Sequence, residues 1–129
     1  MAKTHLAGRV LVVDDEPLIR WSLSEALNDL GYDVEEAGDG RSAVDRMSTS
    51  PAFDVVLLDF RLPDSNDLRL FSTLREISPA ARVILMTAFS TVDVLERAVA
   101  LGAFSVVHKP FEITDVASLV SEASGGAAA

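Results

Sequence analysis

The chain has 129 residues, no cysteine, two histidines and a formal net charge of −9, from 20 acids against 11 bases. That length buries the core of one ordinary domain. The missing cysteines exclude disulfides, thiolate metal centres and cysteine nucleophiles, and His5 and His108 alone make a histidine-rich zinc site a poor expectation. So acidic a surface repels nucleic acid, so no direct DNA binding is expected of this domain. No apolar run approaches the ~20 residues that span a bilayer, and no signal peptide opens the chain. The expectation is a cytoplasmic domain away from the membrane.

In chain order, the first apolar run is Val10–Val13, a strand buried on both faces. Pro17 to Leu30 carries Ile19, Leu23, Leu27 and Leu30 at helical spacing, with Pro17 suited to a first turn and Gly31 to a stop. Val34 to Ala37 includes Glu35 and Glu36 and suits an edge strand. A short helix covers Arg41 to Met47, and Val55–Leu58 is the next buried strand. A helix over Asp67 to Ile77 sets Leu68, Phe71, Leu74 and Ile77 on one face. Val83–Met86 is a fourth strand. A helix capped by Ser90 or Thr91 then runs to Leu101 and stops at Gly102. Phe104–Val107 is the fifth strand and Ile113 to Ala123 the fifth helix. Five strand–helix units in succession predict an α/β fold, a parallel sheet with helices on both faces.

Ligands of such sheets bind outside the carboxyl ends of the strands. Asp14, Asp15 and Glu16 follow the first strand, Asp59 the third, Thr87 the fourth, and His108, Lys109 and Pro110 the fifth. Crowded carboxylates raise one another's pKa unless a cation joins them, and hard oxygen ligands with a phosphate favour Mg2+. Lys109 offers a point charge to a phosphate, Thr87 a hydroxyl, and a carboxylate can accept a phosphoryl group covalently. Each residue also has a plainer reading. Asp14, Asp15 or Asp59 could cap a helix, Thr87 could satisfy backbone at a strand end, and Lys109 could lie on the surface beside a fixed Pro110 turn, for which a cis bond is one option. Four such accidents at four strand ends are improbable together. His108, Arg20 and Glu25 read as surface charges, and Trp21 as helix packing or surface.

The ordered set Val-Val-Asp14-Asp15-Glu-Pro, Leu-Leu-Asp59-Phe-Arg-Leu-Pro63-Asp, Met-Thr87-Ala88 and His-Lys109-Pro110-Phe111 resembles the receiver domain of two-component response regulators. The segments Ile19-Arg20-Trp21 and Asp59 to Leu68 resemble receivers of nitrogen-regulator-type transcriptional activators. The resemblance implies a doubly wound, flavodoxin-like (βα)5 fold with strand order 2-1-3-4-5, a receiver over residues 8–123, and a flexible tail or linker stump over 124–129. It implies Asp59 as phosphoacceptor, with Mg2+ on Asp14, Asp15, Asp59 and the Arg61 carbonyl. It also gives Thr87 as switch hydroxyl, Lys109 as phosphate-contacting lysine and the Ala88 amide as a further phosphate contact. The implied partner is a sensor histidine kinase, and the implied output face is the fourth helix, fifth strand and fifth helix, through which the domain could dimerise. Not being an enzyme in the ordinary sense, it would take part in its own phosphorylation and dephosphorylation.

Two positions depart from the pattern: Asn66-Asp67 stands where receivers usually have Asp-Gly, and Val106 where many carry Tyr or Phe. Phe104, on the same face as Val106 if strand alternation holds, is the rival source of a switch ring. Other readings are weaker. An aspartate-nucleophile phosphatase usually has an acid two residues after the nucleophile, where Arg61 stands. A flavodoxin-like electron carrier needs a phosphate loop that Asp14-Asp15-Glu16 would repel. A degenerate receiver acting only as a binding module is the closest alternative.

Overall fold

The structure, a computed structural model, describes residues 8–64, 68–88 and 91–125. Five strands alternate with five helices: β1 (Arg9–Val13), α1 (Pro17–Asp29), β2 (Asp33–Ala37), α2 (Gly40–Thr49), β3 (Val55–Asp59), α3 (Arg69–Ile77), β4 (Arg82–Thr87), α4 (Val92–Ala100), β5 (Ser105–His108) and α5 (Ile113–Ala123). All pairings are parallel, in the order β2-β1-β3-β4-β5. The expected fold class and strand order are therefore found. β2, the charged strand, lies at an edge.

The sheet separates two cores by the two-residue period of its strands. Leu11, Val13, Val56, Leu58, Val83 and Leu85 face Met47, Phe71, Leu74 and Ala98 of α2, α3 and α4. Val10, Val12, Val55, Leu57, Ile84 and Met86 face Leu23, Leu27, Val116 and Val120 of α1 and α5. The central strands thus bury both faces, which is why they read as unbroken apolar runs. Each fully buried Leu or Phe in these layers contributes about 1.5–3 kcal/mol.

Local chemistry sets the helix ends. Pro17 opens α1, and Thr91 accepts a hydrogen bond from the Val94 amide to cap α4. Gly31 and Gly102 follow α1 and α4 with φ of +99° and +92°, a backbone region that L side chains rarely adopt. α2 begins at Gly40, one residue before its expected start, because Asp39 accepts from the Ser42 amide. That bond holds the half-buried Asp39 carboxyl below its ordinary pKa. The Asp64 carboxylate, from the segment after β3, accepts from the Gly40 and Arg41 amides at 2.8 and 3.0 Å. It ties that segment to the start of α2.

One expectation is corrected at β5. Phe104 is not part of the strand, which starts at Ser105. Phe104 packs against the α1/α5 core, whereas Val106 packs against the α2/α3/α4 core. A bend at Phe104 breaks the alternation that would have put both on one face, and Arg82 holds the ring, its guanidinium carbon 5.5 Å from the centroid. The Asn66-Asp67 departure and residues 126–129 lie outside the described residues. Ser124 and Gly125 of the expected tail turn back on α5, their amides donating to Val120 and Glu122 carbonyls.

Candidate functional site at the carboxyl edge of the sheet

β1, β3, β4 and β5 end side by side, because β1 pairs with β3, β3 with β4 and β4 with β5 in parallel register. A cleft of about 280 Å³ opens there, lined by Asp15, Glu16, Asp59, Phe60, Arg61, Thr87, Ala88 and Lys109. Every site residue inferred from the sequence is in this cleft or bonded to a residue in it.

Asp14 is fully buried, and its functional groups are used individually. Its amide donates to the Ala37 carbonyl at 3.1 Å, Oδ1 accepts from the Glu16 amide at 2.9 Å, and Oδ2 accepts from Lys109 Nζ at 2.9 Å. Asp15 is exposed at the rim. Asp59, the last residue of β3, is 6% exposed; its Oδ1 accepts from the Arg61 amide at 3.2 Å. Thr87 ends β4 and is 1% exposed, and its carbonyl accepts from the Lys109 amide at 2.8 Å. A cis peptide joins Lys109 to Pro110.

Lys109 is the hub. Its ammonium donates to Asp14 Oδ2, to Glu16 Oε1 at 3.0 Å and to Asp59 Oδ2 at 3.2 Å. Three N–H donors meet three carboxylates, the full capacity of an ammonium group. Burial alone would lower its pKa. The bonds to Asp14 and Glu16 and the charges of Asp14 and Asp59 outweigh that and hold the lysine above its ordinary range. Asp59 moves the other way: burial, then the charge of Asp14, pushes its carboxyl from 3.8 up to about 6, against Lys109 and the Arg61 amide. One ammonium does not neutralise this many acids.

Asp14, Asp15, Glu16 and Asp59 can each offer an oxygen with all four atoms within 4.8 Å of one another. An all-oxygen, anionic donor set of this kind suits a small hard cation such as Mg2+. The residues therefore fit the metal that the sequence implied. Glu16 was not among the expected ligands or phosphate contacts, although it follows Asp14-Asp15 directly; the run of three acids was its signal. Arg20 was expected to be a solvated helix charge. Its side chain is 23% exposed and bonded to the Asp14 carbonyl and to Glu36. Side-chain length explains the difference, since a guanidinium on α1 reaches the end of β1. Glu25, Trp21 and His108 are exposed, as expected.

The comparisons with known proteins agree with this geometry. Residues 10–121 match the family model of the response regulator receiver domain. The chain is 33% identical over 114 residues to sporulation initiation phosphotransferase F of Bacillus subtilis, covering 88% of this chain and 91% of that protein. It is 35% identical over 116 residues to the DNA-binding transcriptional regulator NtrC of Klebsiella pneumoniae, covering 90% of this chain but only 24% of that protein. Among solved structures, a chain of the CheX–CheY–BeF3–Mg2+ complex of Borrelia burgdorferi superimposes with a TM-score of 0.80 at 27% identity, covering 88% of this chain and 87% of that one. No helix among the described residues is long and apolar enough to cross a membrane. With fold, acid cluster and family model in agreement, the chain belongs to the response regulator receiver domains of two-component signalling, a family of regulatory phosphoacceptors phosphorylated by histidine kinases.

Proposed function

We propose that this domain takes a phosphoryl group from the phosphohistidine of a sensor histidine kinase onto Asp59, in the cytoplasm and with Mg2+. The observation that carries the reading is the convergence of four acids and Lys109 at one cleft, which Asp59 lines. An Asp59 carboxylate oxygen attacks phosphorus; the P–N bond to the imidazole breaks and an acyl phosphate P–O bond forms. Asp14, Asp15, Asp59 and the Arg61 carbonyl would hold the ion, which supplies neutralising charge for the carboxylates and the transferring oxygens. Lys109 bonds Asp59 beforehand and can keep one donor on a phosphoryl oxygen afterwards. The Thr87 hydroxyl and the Ala88 amide, both at the cleft, complete the hold on the remaining oxygens.

Output follows if the phosphoryl oxygens bind one arrangement of Thr87 and the backbone after it better than the other. The responsive face is α4, β5 and α5, roughly residues 90–123. Its support is an outward apolar stripe on α4, where Val92 is 70% and Val99 68% exposed, suited to a second copy of the chain. Val106 offers no ring to couple to Thr87 and, being β-branched, has little rotamer freedom. Phe104 packs on the other side of the sheet. The transition is then carried by Thr87, its following backbone and α4, with dimerisation supplying part of the free energy. Sedimentation with beryllium fluoride and Mg2+ tests the output: a shift to dimer supports it. A monomer at high concentration, with unchanged spectra for residues 90–123, contradicts it.

A further inference from the structure

The β1–β2 ladder ends at Val13 and Ala37, just before the acidic turn. Asp14 is fully buried there, and a buried carbonyl without a partner is destabilising. Its partner comes from α1: Arg20 Nη1 donates to the Asp14 carbonyl at 2.7 Å. The same guanidinium donates from Nε to Glu36 Oε1 on β2 at 3.0 Å. A Cβ placed on Gly38 would come within 3.3 Å of Nη1, so the β2–α2 connection leaves just the room this side chain fills. Arg20 therefore spans α1, the end of β1 and the end of β2.

We propose that Arg20 is a positioning residue for the metal-binding turn, an inference that rests on the metal reading of Asp14 and Asp15 given above. By fixing the Asp14 carbonyl it sets the direction in which the chain leaves β1, and so aims the Asp15 carboxylate at the cleft. Glu36 holds Nε at β2 while Nη1 stays on the Asp14 carbonyl. A lysine keeps the charge but not the fork that reaches both partners.

The sign of the effect separates positioning from simple electrostatics. Arg20 is a positive charge beside a cation site, so by Coulomb's law its removal alone tightens Mg2+ binding. Positioning predicts the reverse. The test is calorimetric Mg2+ titration of the wild-type chain, Arg20→Ala, Arg20→Lys and Asp15→Ala, with amide hydrogen exchange of Glu16 in the metal-free proteins. Expected are roughly tenfold weaker binding for Arg20→Ala, in the range for residues that orient metal ligands, an intermediate loss for Arg20→Lys, and faster Glu16 exchange in both. Should Arg20→Ala fail to fold, Arg20→Lys decides alone. Unchanged or tighter Mg2+ binding with unchanged Glu16 exchange overturns the proposal. Wild-type Mg2+ affinity in Asp15→Ala instead overturns the metal reading, and the exchange data still judge Arg20.

Discussion

The two ends of the sheet each gather several acids around basic side chains, with opposite results. At the amino end, Arg9 Nε bonds Asp33 Oδ2 at 2.9 Å, Nη2 bonds Glu35, and the Arg9 amide donates to Asp54 Oδ2 at 2.8 Å. Its guanidinium carbon lies 4.4 Å from the centroid of the Phe53 ring, and Arg46 and Ser50 supply further donors to Glu35. Charge there is shared out between two arginines, one amide and a hydroxyl. At the carboxyl end the Lys109 ammonium is shared among Asp14, Glu16 and Asp59, with Asp15 beside them. The surplus appears as the raised Asp59 carboxyl, buried beside the Asp14 charge. The structural cluster comes within one charge of balance, two arginines against three acids, whereas the binding cluster leaves a larger imbalance for its ligand to close.

The largest expected effect on this contrast comes from Lys109→Ala set against Arg9→Ala. Loss of Lys109 is expected to slow phosphoryl uptake roughly 100-fold, as for removal of one preorganised donor to a developing charge, without weakening Mg2+ binding. Arg9→Ala is expected to cost on the order of 1–3 kcal/mol of stability by stranding its acids, with phosphorylation and Mg2+ affinity unchanged. Stopped-flow uptake from a small phosphodonor and urea unfolding read the two. Equal loss of uptake in both variants would erase the distinction between the ends.

Next in size is Asp59→Asn without metal. An amide imitates the protonated acid, so removing the raised carboxylate is expected to stabilise the metal-free fold at pH 7, by up to about 3 kcal/mol for a displacement of this size. Denaturant unfolding measures it, and a destabilised variant would contradict the surplus-charge account.

The pH dependence sharpens the same point. The unfolded Asp59 carboxyl releases its proton near 3.8, the folded one near about 6. Between those values the folded state binds more protons, so this group's stabilising share is complete below about 4 and is lost as pH rises through 6. The stability difference between wild type and Asp59→Asn is therefore expected to widen from pH 4 to 7 in the metal-free proteins. Saturating Mg2+ is expected to narrow it, since the ion binds only the folded site. A difference independent of pH would contradict the raised value.

The smallest effect is Phe104→Leu. With the ring on the α1/α5 side of the sheet, phosphate-mimic binding and dimerisation are expected to match wild type once lost packing is allowed for. Loss of coupling with mimic binding intact would make Phe104 the switch ring after all.

The sequence made the central fold legible because β1, β3 and β4 are buried on both faces and carry unbroken apolar runs. It was less informative at β5, a four-residue edge strand, where a bend rather than periodicity decides the direction of Phe104. The site's acids, Thr87 and Lys109 were legible because each stands at a strand end, and parallel strands bring their ends together. Arg20 was not, because its function depends on reach across three elements and not on spacing. Neither was the far-side cap from Asp64 to α2, which joins residues more than twenty positions apart.

If the unbalanced acid cluster makes Asp59 the phosphoacceptor, an amide at that position leaves the domain without one. Intact-mass measurement after incubation with acetyl phosphate and Mg2+, on wild type and Asp59→Asn side by side, tests it most directly. The prediction is one added phosphoryl group on the wild-type chain, dependent on Mg2+, and none on the variant. A phosphoryl group gained by Asp59→Asn at the wild-type rate, or none gained by the folded wild type, would contradict it.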